Sequence, residues 1–263
     1  MLSAQRRKEI FHLLNTHGQV ELNDLAQRFG VSAMTIRRDL EKLEEVGKAK
    51  RVHGGAVLST QTWEPESITQ KSITNIHLKQ VIAQTALRII QPGSSIFLDA
   101  GSTTYEIANA IRTMYSEPLT ICTSDVRIAN LLAGEERLQV YICGGSLDTT
   151  TASAGGHFAI QMIMSLHADL AIIGCDGLTI HDGAMSSRIT QVEVKQAMLA
   201  RSLKSALVAD STKFGRVSFA SIAPLRAFDY IVSDSLVDAE TRDALEKASV
   251  EVVLPDPATL ERM

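Results

Sequence analysis

The chain has 263 residues, of which 45% are hydrophobic and 21% are charged, as in an ordinary globular protein. No apolar run approaches the ~20 residues of a membrane span, and the first residues lack the apolar stretch of a secretory signal. We therefore expect a cytoplasmic protein without a membrane segment, folded as one large domain or as two unequal ones.

The net charge of −4 conceals a difference between the two ends of the chain. Residues 1–58 carry ten lysines and arginines against seven acidic residues, whereas the remaining residues carry 16 against 23. A positive segment on an acidic body suits a chain of which one end approaches phosphates. The positive excess is small, so it supports a nucleic-acid partner only together with a motif.

Three helices and a hairpin are predicted for residues 1–58. The first helix begins at Ser3 and ends at Gly18, and a short second helix begins at Asn23 and ends at Gly30. Gly30 is the predicted turn between the second helix and the third.

The third predicted helix is basic and amphipathic. Ser32 caps its N-terminus, and Gly47 ends it. Its apolar stripe, at positions i, i+4 and i+7, consists of Ile36, Leu40 and Leu43.

A basic hairpin follows the third helix. Residues 50–53 and 56–58 are its predicted strands, and the glycine pair Gly54 and Gly55 is its predicted turn. Its side chains suited to contacts with the DNA backbone or minor groove are Lys48, Lys50, Arg51 and His53.

The outward face of the third helix combines hydroxyl groups with guanidinium groups. Arginine matches guanine bidentately in the major groove, and a helix N-terminus favours phosphate. The alternative is a small helical domain whose arginines are merely solvated. The order of two short helices, a glycine turn, a capped basic helix and a basic hairpin favours DNA binding. The outward residues are Ala33, Thr35, Arg37, Arg38 and Lys42.

The stretch from Val31 to Ala56 contains the motifs VSxMTIRRDL and LxxxGxxxRxHGGA in this order. It resembles the winged helix-turn-helix of the DeoR family of bacterial transcriptional regulators. The resemblance implies that residues 1–58 bind double-stranded operator DNA. Asp39 would repel DNA, so we expect it to fix an arginine or the helix geometry instead. The positions implied as DNA contacts are Ser32, Thr35, Arg37 and Arg38, accompanied by Lys42, Arg51 and His53.

Residues 59–78, which include Trp63 and Pro65, are polar and poor in periodicity and are the predicted linker. Residues 79–263 begin with a helix (79–90), after which short apolar runs alternate with helical stretches. This pattern predicts a larger, Rossmann-like α/β domain whose sheet is covered on both faces. The predicted strands are Ile96–Leu98, Leu119–Thr123, Gln139–Cys143, Asp169–Gly174, Ala206–Ala209, Tyr230–Val232 and Val250–Leu254. The predicted helices between them are 104–113, 125–133, 156–166, 191–203 and 236–247.

The run LDAGSTT, from Leu98 to Thr104, ends a predicted strand and opens a helix. Backbone N–H groups, hydroxyl groups and the helix dipole then converge as in a phosphate site, although such turns are also common helix caps. Other loops after predicted strands offer hydroxyl groups, carboxylates and a lysine, and they meet if their strands end at one sheet edge. These loops are Thr123-Ser124, Gly144-Gly145, Gly174–Gly177 and Asp210–Gly215.

Apart from Thr123-Ser124, the same loops resemble the C-terminal effector domain of the DeoR family, together with VEVK at Val192–Lys195. That domain is similar in fold to ribose-5-phosphate isomerase and senses phosphorylated sugars. The resemblance implies a phosphate end formed by Asp99, Gly101, Ser102, Thr103 and Thr104. It places Asp176 and Lys213 toward the sugar. The other residues expected to contact the ligand are Thr123, Ser124, Gly144, Gly145 and Lys195.

Two places depart from the family pattern. Many relatives carry Thr-Asn where this chain has Thr123-Ser124, and acidic residues where it has Thr190-Gln191. If those residues contact sugar hydroxyl groups in the relatives, the ligand here differs in stereochemistry or charge.

We expect a homodimeric or homotetrameric repressor of a carbohydrate-utilisation operon, released from its operator by a phosphorylated sugar. The alternatives are an activator and an isomerase-like enzyme with Asp99 or Asp176 as the base. A catalytic domain has no use for an attached DNA reader, so we do not expect an enzyme. No cofactor is expected. A zinc site is not expected either, because Cys122, Cys143 and Cys175 form no C-x-x-C pair and have no histidine at ligand spacing.

Overall fold

The computed structural model describes residues 3–45, 49–58, 67–248 and 250–256. The chain divides into two compact units, Met1–Gln61 and Thr62–Met263. Across the described residues, no helix combines the length and the hydropathy that a membrane crossing needs. The sequence predictions that lie outside the described residues concern Gly47, Lys48, Trp63 and Pro65.

The smaller unit consists of helices and a small antiparallel sheet. Its helices are α1 (Ser3–His17), α2 (Leu22–Phe29) and α3 (Ala33–Glu45), and its strands are β1 (Gln19–Glu21), β2 (Ala49–Val52) and β3 (Gly55–Leu58). The predicted helices are confirmed, although α2 begins at Leu22, one residue earlier than predicted. Gly30 ends α2 in the left-handed conformation, which glycine adopts without steric cost. The predicted stripe of Ile36, Leu40 and Leu43 is buried.

The wing differs from the predicted two-strand hairpin. Strand β1 joins it, so that the sheet has the order β1-β3-β2. The turn consists of His53 and Gly54, with Gly54 at a φ of 89°, whereas Gly55 already pairs with Val52 in the ladder. A Cβ atom at Gly55 would lie 2.0 Å from the carbonyl oxygen of Val20. Gly55 is therefore required by the close approach of β1 and not by the turn.

The larger unit is an α/β domain, as predicted. Its helices are α4 (Ile68–Ile73), α5 (Ile76–Ala86), α6 (Ser102–Met114), α7 (Val126–Leu132), α8 (His157–Met164), α9 (Ile189–Ala200) and α10 (Ala239–Lys247). The strands predicted from the sequence are β4 (Ser95–Leu98), β5 (Leu119–Thr123), β6 (Leu138–Ile142), β9 (Ala168–Gly174), β12 (Ser202–Val208), β14 (Tyr230–Val232) and β15 (Glu251–Val253). The strands that were not predicted are β7 (Ser146–Asp148), β8 (Ser153–Gly155), β10 (Gly177–Thr179), β11 (Gly183–Ser186) and β13 (Ala220–Ala223).

The predicted strands form one parallel sheet in the order β15-β14-β12-β9-β4-β5-β6. Phe97 belongs to the apolar core on one face, together with Met198 of α9. Its neighbours Ile96 and Leu98 pack with Ile107 of α6 in the core on the other face. The prediction that the sheet is covered on both faces is therefore confirmed.

The direction in which the chain adds strands reverses between β4 and β9. From β4 the chain continues to β5 and β6 on one side, and from β9 it continues to β12, β14 and β15 on the other. Ligands of open α/β sheets bind beyond the carboxyl ends of the strands at such a switch point. The loops after Leu98 and Gly174 therefore mark where a site is expected.

The predicted linker is residues 59–78, and its second half forms α4 and the first turn of α5 in the larger unit. Ser67 caps α4, because its hydroxyl group accepts a hydrogen bond from the amide of Gln70 at 3.3 Å. The amide of Ile68 donates to the carbonyl of Thr150 at 3.1 Å. The polar composition of this stretch gives no clear helical period, so the sequence did not predict α4 or the first turn of α5.

Candidate functional site

Helix α3 begins with the predicted serine cap. The hydroxyl group of Ser32 accepts a hydrogen bond from the amide of Thr35 at 3.2 Å and lies 2.9 Å from the Thr35 hydroxyl oxygen. This contact satisfies one of the amide groups that a helix N-terminus leaves without a partner. The first turn of α3 thereby presents two adjacent hydroxyl groups near its surface.

The outward face of α3 carries the cations that the sequence assigned to it. Arg37, Arg38 and Lys42 are exposed, whereas the apolar stripe on the opposite face is buried. Met34, which sequence reasoning did not single out, is also exposed on the first turn. An exposed methionine between hydroxyl and guanidinium groups suits contact with a thymine methyl group.

Asp39 faces the interior of the smaller unit. Its carboxylate accepts a hydrogen bond from Arg6 of α1 at 2.5 Å, and both side chains are buried. Arg7 approaches the same carboxylate at 3.4 Å. Of the two roles expected for Asp39, fixing an arginine is confirmed, and the ion pair joins α3 to α1.

Arg51 of the wing is tied to α3 in the DNA-free chain. Its Nε atom donates to Glu44 at 2.7 Å, and its guanidinium contacts Glu41 at 2.8 Å. The hydrogen bond from the Arg51 amide holds the pKa of Glu44 below its usual value, and Glu44 in turn raises the pKa of Arg51. Arg51 is therefore held by two acidic residues of α3, whereas Lys50 and His53 are exposed.

A buried ion pair occupies the switch point of the larger unit. Asp99, the first residue after β4, accepts a hydrogen bond from the amide of Gly174 at the end of β9, at 3.0 Å. Lys195 of α9 donates to the same carboxylate oxygen and to the carbonyl of Gly174 at 3.1 Å. Burial raises the pKa of Asp99 above its usual value even with Lys195 beside it. The structure thus brings two predicted residues together, as partners of each other.

A pocket of about 210 Å³ lies beside this pair. Asp99 and Ala100 form one part of its lining, and Ser124, which follows β5, forms another. The hydroxyl group of Ser124 makes no hydrogen bond within the described part of the chain, although the residue is 1% exposed. The remaining lining residues are Ser146, Leu147, Asp148, Ser153, Ala154, Gly155, Gly156, Thr190, Gln191 and Val194.

The two places at which we expect a departure from the family pattern meet at this pocket. Ser124 lines it from the loop after β5, and Thr190 and Gln191 line it from the first turn of α9. The two places are more than 60 positions apart in the sequence, so the sequence could not show that they meet. Most of the other lining residues belong to β7 and β8, and Gly156 precedes α8. The two strands have only three residues each, which is too short to give a clear alternation of apolar and polar residues.

The predicted phosphate loop forms the N-terminus of α6. Ser102 and Thr104 are buried, and the Thr104 hydroxyl group donates to the carbonyl of Gly101 at 3.1 Å, whereas Thr103 is half-buried. Arg127 of α7 was not predicted; its guanidinium lies 3.5 Å from the Gly101 carbonyl. Asp99 and Ala100 of this loop line the pocket, whereas Gly101, Ser102, Thr103 and Thr104 do not.

Asp176 is buried in the loop after β9 and is surrounded by donors. Ser187 donates to it from its amide and from its hydroxyl group, each at 2.8 Å, and Ser186 approaches at 3.3 Å. Lys71 of α4 forms an ion pair with the same carboxylate. Burial alone would raise the pKa of Asp176, but Lys71 and Ser187 hold it well below its usual range. Lys71 lies in the predicted linker and was therefore missed.

The other predicted ligand residues do not line the pocket. Thr123 is buried, and its hydroxyl oxygen accepts a hydrogen bond from the amide of Asp125 at 3.1 Å. Gly144 and Gly145 lead from β6 to β7, and a Cβ atom at Gly145 would lie 2.4 Å from the Gly155 carbonyl oxygen. Lys213 ends a short 3-10 helix after β12. Among the described residues, no cluster of histidine, cysteine or acidic residues could hold a metal ion.

Family models match both units. The model described as the DeoR-like helix-turn-helix domain matches residues 6–62, and that of the DeoR C terminal sensor domain matches residues 74–235. The chain belongs to the DeoR family. This DeoR-family chain is a transcriptional regulator and not an enzyme, and the resemblance drawn from the sequence is confirmed.

Curated relatives match this DeoR-family regulator over nearly its whole length. The lactose phosphotransferase system repressor of Staphylococcus epidermidis is 34% identical over 257 residues, which are 96% of this chain and 100% of the relative. The HTH-type transcriptional regulator GlpR of Haloferax volcanii is 33% identical over 253 residues, 96% of this chain and 98% of the relative.

Among solved structures, ribose 5 phosphate isomerase A from Neisseria gonorrhoeae is similar to part of the chain. The TM-score is 0.40 with 16% sequence identity, and the match covers 55% of each chain. A likeness of this size says nothing about ligand or activity.

Proposed function

We propose that this regulator represses a carbohydrate-utilisation operon and leaves its operator when a phosphorylated sugar binds the larger unit. The pocket at the switch point carries the proposal. There Asp99, Ser124 and Gln191 offer acceptors and donors for sugar hydroxyl groups, beside the N-terminus of α6. The relative from S. epidermidis, named as a repressor of a lactose phosphotransferase system, also supports it.

Helix α3 is assigned to the major groove. Arg37 and Arg38 are exposed beside the hydroxyl groups of the first turn, an arrangement that suits guanine and phosphate contacts. Asp39 is paired with Arg6 in the interior, so its carboxylate does not oppose the DNA. The proposed DNA contacts are Ser32, Thr35, Arg37, Arg38, Lys42 and His53, with Arg51 after it leaves Glu41 and Glu44.

The effector is assigned to the pocket and to the adjoining N-terminus of α6. Backbone N–H groups at Gly101–Thr104 and the half-buried hydroxyl group of Thr103 suit the phosphate, because a helix N-terminus favours anions. The hydroxyl group of Ser124, with Thr190 and Gln191, suits the sugar. Lys195 acts on the sugar end indirectly, by holding Asp99 in place.

Release by an effector requires that the effector prefer the DNA-incompetent arrangement of the protein. Linkage then requires that DNA weaken effector binding by the same factor. We further propose a cytoplasmic homodimer or homotetramer, because two winged helices on a repeated half-site supply the affinity that a single one lacks.

The DNA assignment is tested by Arg38→Ala, measured on operator fragments selected from a random pool with the wild-type chain. Loss of one bidentate contact should weaken binding by about 10- to 100-fold at physiological salt. Arg28→Ala removes the same charge from α2, outside α3 and the wing, and should change affinity only about twofold. Equal effects of the two variants would remove α3 from the DNA surface.

The effector assignment is tested by thermal shift with pentose 5-phosphates and hexose 6-phosphates, each compared with the sugar alone. A ligand at 100 times its Kd stabilises the folded chain by about 2.7 kcal/mol. We expect a rise in Tm that requires the phosphate and weakens in Ser124→Ala. A shift that persists unchanged in Ser124→Ala would place the ligand elsewhere, and sugars that act without phosphate would reject the phosphate site.

A further inference from the structure

Two cysteines of the larger unit lie side by side on one face of the parallel sheet. Cys122 of β5 is opposite Tyr141 of β6 in the ladder. Cys143 comes two positions after Tyr141, so its side chain points to the same face as that of Cys122. The amide of Cys143 donates to the carbonyl of Thr123 at 2.8 Å, which continues the ladder one residue beyond β6. The fold therefore holds the two thiols next to each other.

The sulfur atoms of this pair are in contact. Sγ of Cys122 lies 3.5 Å from Sγ of Cys143, and one thiol donates a hydrogen bond to the other. Both residues belong to the apolar core, where they are 5% and 1% exposed. A disulfide bond is about 2.05 Å long, so the two sulfurs need to approach by only about 1.5 Å to form one.

The hydrogen bond between the thiols makes them chemically unequal. It lowers the pKa of Cys122, because a thiolate there accepts the hydrogen of Cys143, and it raises the pKa of Cys143. Since the thiolate is the nucleophile, Cys122 is the sulfur that attacks an oxidant and Cys143 is its resolving partner. Cys175 differs from both, because burial raises the pKa of its thiol to about 12 and keeps it protonated.

The pair lies next to two parts of the pocket wall. Ser124, two residues after Cys122, and Ser146, three residues after Cys143, both line the pocket. Val194 of α9 also lines it and packs in the same apolar cluster as both cysteines. A movement of the two sulfurs toward each other therefore acts on the pocket wall.

We propose that Cys122 and Cys143 form a redox-sensitive site, which a hydroperoxide converts to a disulfide and a thiol reductant restores. The sulfur of Cys122 attacks one oxygen of hydrogen peroxide and breaks the O–O bond, so that a sulfenic acid forms and hydroxide leaves as water with the Cys122 proton. The sulfur of Cys143 then displaces hydroxide from the sulfenic sulfur, and this hydroxide leaves as water with the Cys143 proton. Two thiols are thereby oxidised to one disulfide, and one peroxide is reduced to two molecules of water.

The disulfide acts on the pocket through the chain that follows Cys143. Closing the bond draws this residue toward β5, and residues 144–148 move with it because they follow it directly in the chain. Three of them, Ser146, Leu147 and Asp148, line the pocket. Oxidation therefore changes the shape of the pocket independently of any ligand.

The first test treats the folded full-length chain with hydrogen peroxide and measures its intact mass. We expect the wild type to lose about 2 Da, the mass of two hydrogen atoms, and to regain it with dithiothreitol. Cys122→Ala and Cys143→Ala should form no disulfide within the chain, whereas the matched control Cys175→Ala should behave as the wild type does. A wild-type chain that keeps its thiols, or that gains about 32 Da as a sulfinic acid without forming a disulfide, overturns the inference.

Tryptic peptides identify the bond. In Cys175→Ala, trypsin releases residues 113–127, which contain only Cys122, and residues 138–188, which contain only Cys143. The two peptides should be joined after the folded chain has been treated with peroxide. A bond that forms only after the chain has been unfolded in urea would show that the fold does not hold this site, and would reject it.

Hydrogen exchange of the wild-type chain measures the effect on the pocket. Amides of residues 144–148 should change their exchange rates by about threefold or more on oxidation, whereas those of β12, in another part of the sheet, should keep theirs. Equal rates in the reduced and the oxidised chain would contradict the effect on the pocket. No sugar phosphate is present in these experiments, so their failure leaves the proposed function standing.

Discussion

In the smaller unit a buried arginine, Arg6, is joined to Asp39 across two helices, whereas in the larger unit a buried lysine, Lys195, is joined to Asp99 beside a pocket. The first pair points away from the exposed arginines of α3 and holds that helix to α1. The second pair lies at the pocket wall, where Asp99 is also held by the amide of Gly174.

The two ion pairs are similarly buried but have different roles. In the smaller unit the pair holds a carboxylate in the interior, between α3 and α1. In the larger unit Lys195 opposes the rise in the pKa of Asp99 that burial causes, and Asp99 lies at the wall of a pocket. The first pair stabilises the packing of α3 on α1, whereas the second sets the charge at the pocket wall.

The largest expected effect is that of Asp39→Ala. It leaves the Arg6 guanidinium buried without its principal partner, which should lower the free energy of unfolding of the smaller unit by about 3–5 kcal/mol. Hydrogen exchange of the α1 and α3 amides in the full chain measures this. The control is Glu9→Ala, which breaks an exposed pair with Arg28 and should cost less than about 1 kcal/mol. Similar losses in both variants would contradict a structural role for the buried pair.

Lys195→Met should lower the stability of the larger unit by about 3 kcal/mol at pH 7, because Asp99 is left buried without its ammonium partner. The pKa of Asp99 is already raised by burial, and it rises further without Lys195. A carboxyl group whose pKa is raised in the folded state contributes to the free energy of unfolding when it is protonated. This contribution is fully present below the unfolded-state pKa of about 3.9 and is lost as the pH rises through the folded-state pKa.

The difference in stability between Lys195→Met and the wild type should therefore shrink as the pH falls from 7 toward 4. Scanning calorimetry of the full chain at several pH values measures this. Lys204→Met, at an exposed site, should leave the Tm unchanged throughout. A loss in Lys195→Met that does not depend on pH would mean that Asp99 is not the group left uncompensated.

The smallest expected effect is that of Glu44→Gln. It weakens the hold on Arg51, so that the guanidinium can move to a phosphate, and operator binding should tighten severalfold. The dependence of log affinity on log salt should steepen by about one unit for one added phosphate contact. Glu21→Gln makes the same charge change at an exposed position of the same unit. Equal tightening in both variants would mean that net charge alone is responsible.

Much of the fold could be predicted, because its main signals are local. The strands of the parallel sheet are continuous apolar runs between helical periods, and the buried stripe of α3 follows from its spacing. The wing was less predictable: two adjacent glycines suggest a turn, yet Gly55 is needed because β1 passes within contact distance. That approach depends on tertiary structure, and neither the three-residue strand β1 nor the glycine itself predicts it.

The candidate sites were predictable only in part, for the same reason. Ser32, Arg38 and Asp99 lie in sequence motifs that predict a helix cap, an exposed basic helix face and a loop after a strand. Lys71 stands in a polar stretch without a motif, and its partner is 105 positions away. The Glu44 contact that restrains Arg51 likewise depends on how the wing folds back on α3, and no spacing rule describes this.

The separation of Asp99 from Lys195 has a consequence for biosynthesis. The two residues are 96 positions apart, and the helices and wing of the smaller unit are complete once Leu58 has left the ribosome. The pocket wall cannot close until α9 has been made, since contacts between distant parts of a chain form only after the intervening loop closes. A chain cut short before position 195 can therefore fold its N-terminal domain, yet it has no way to receive the chemical signal.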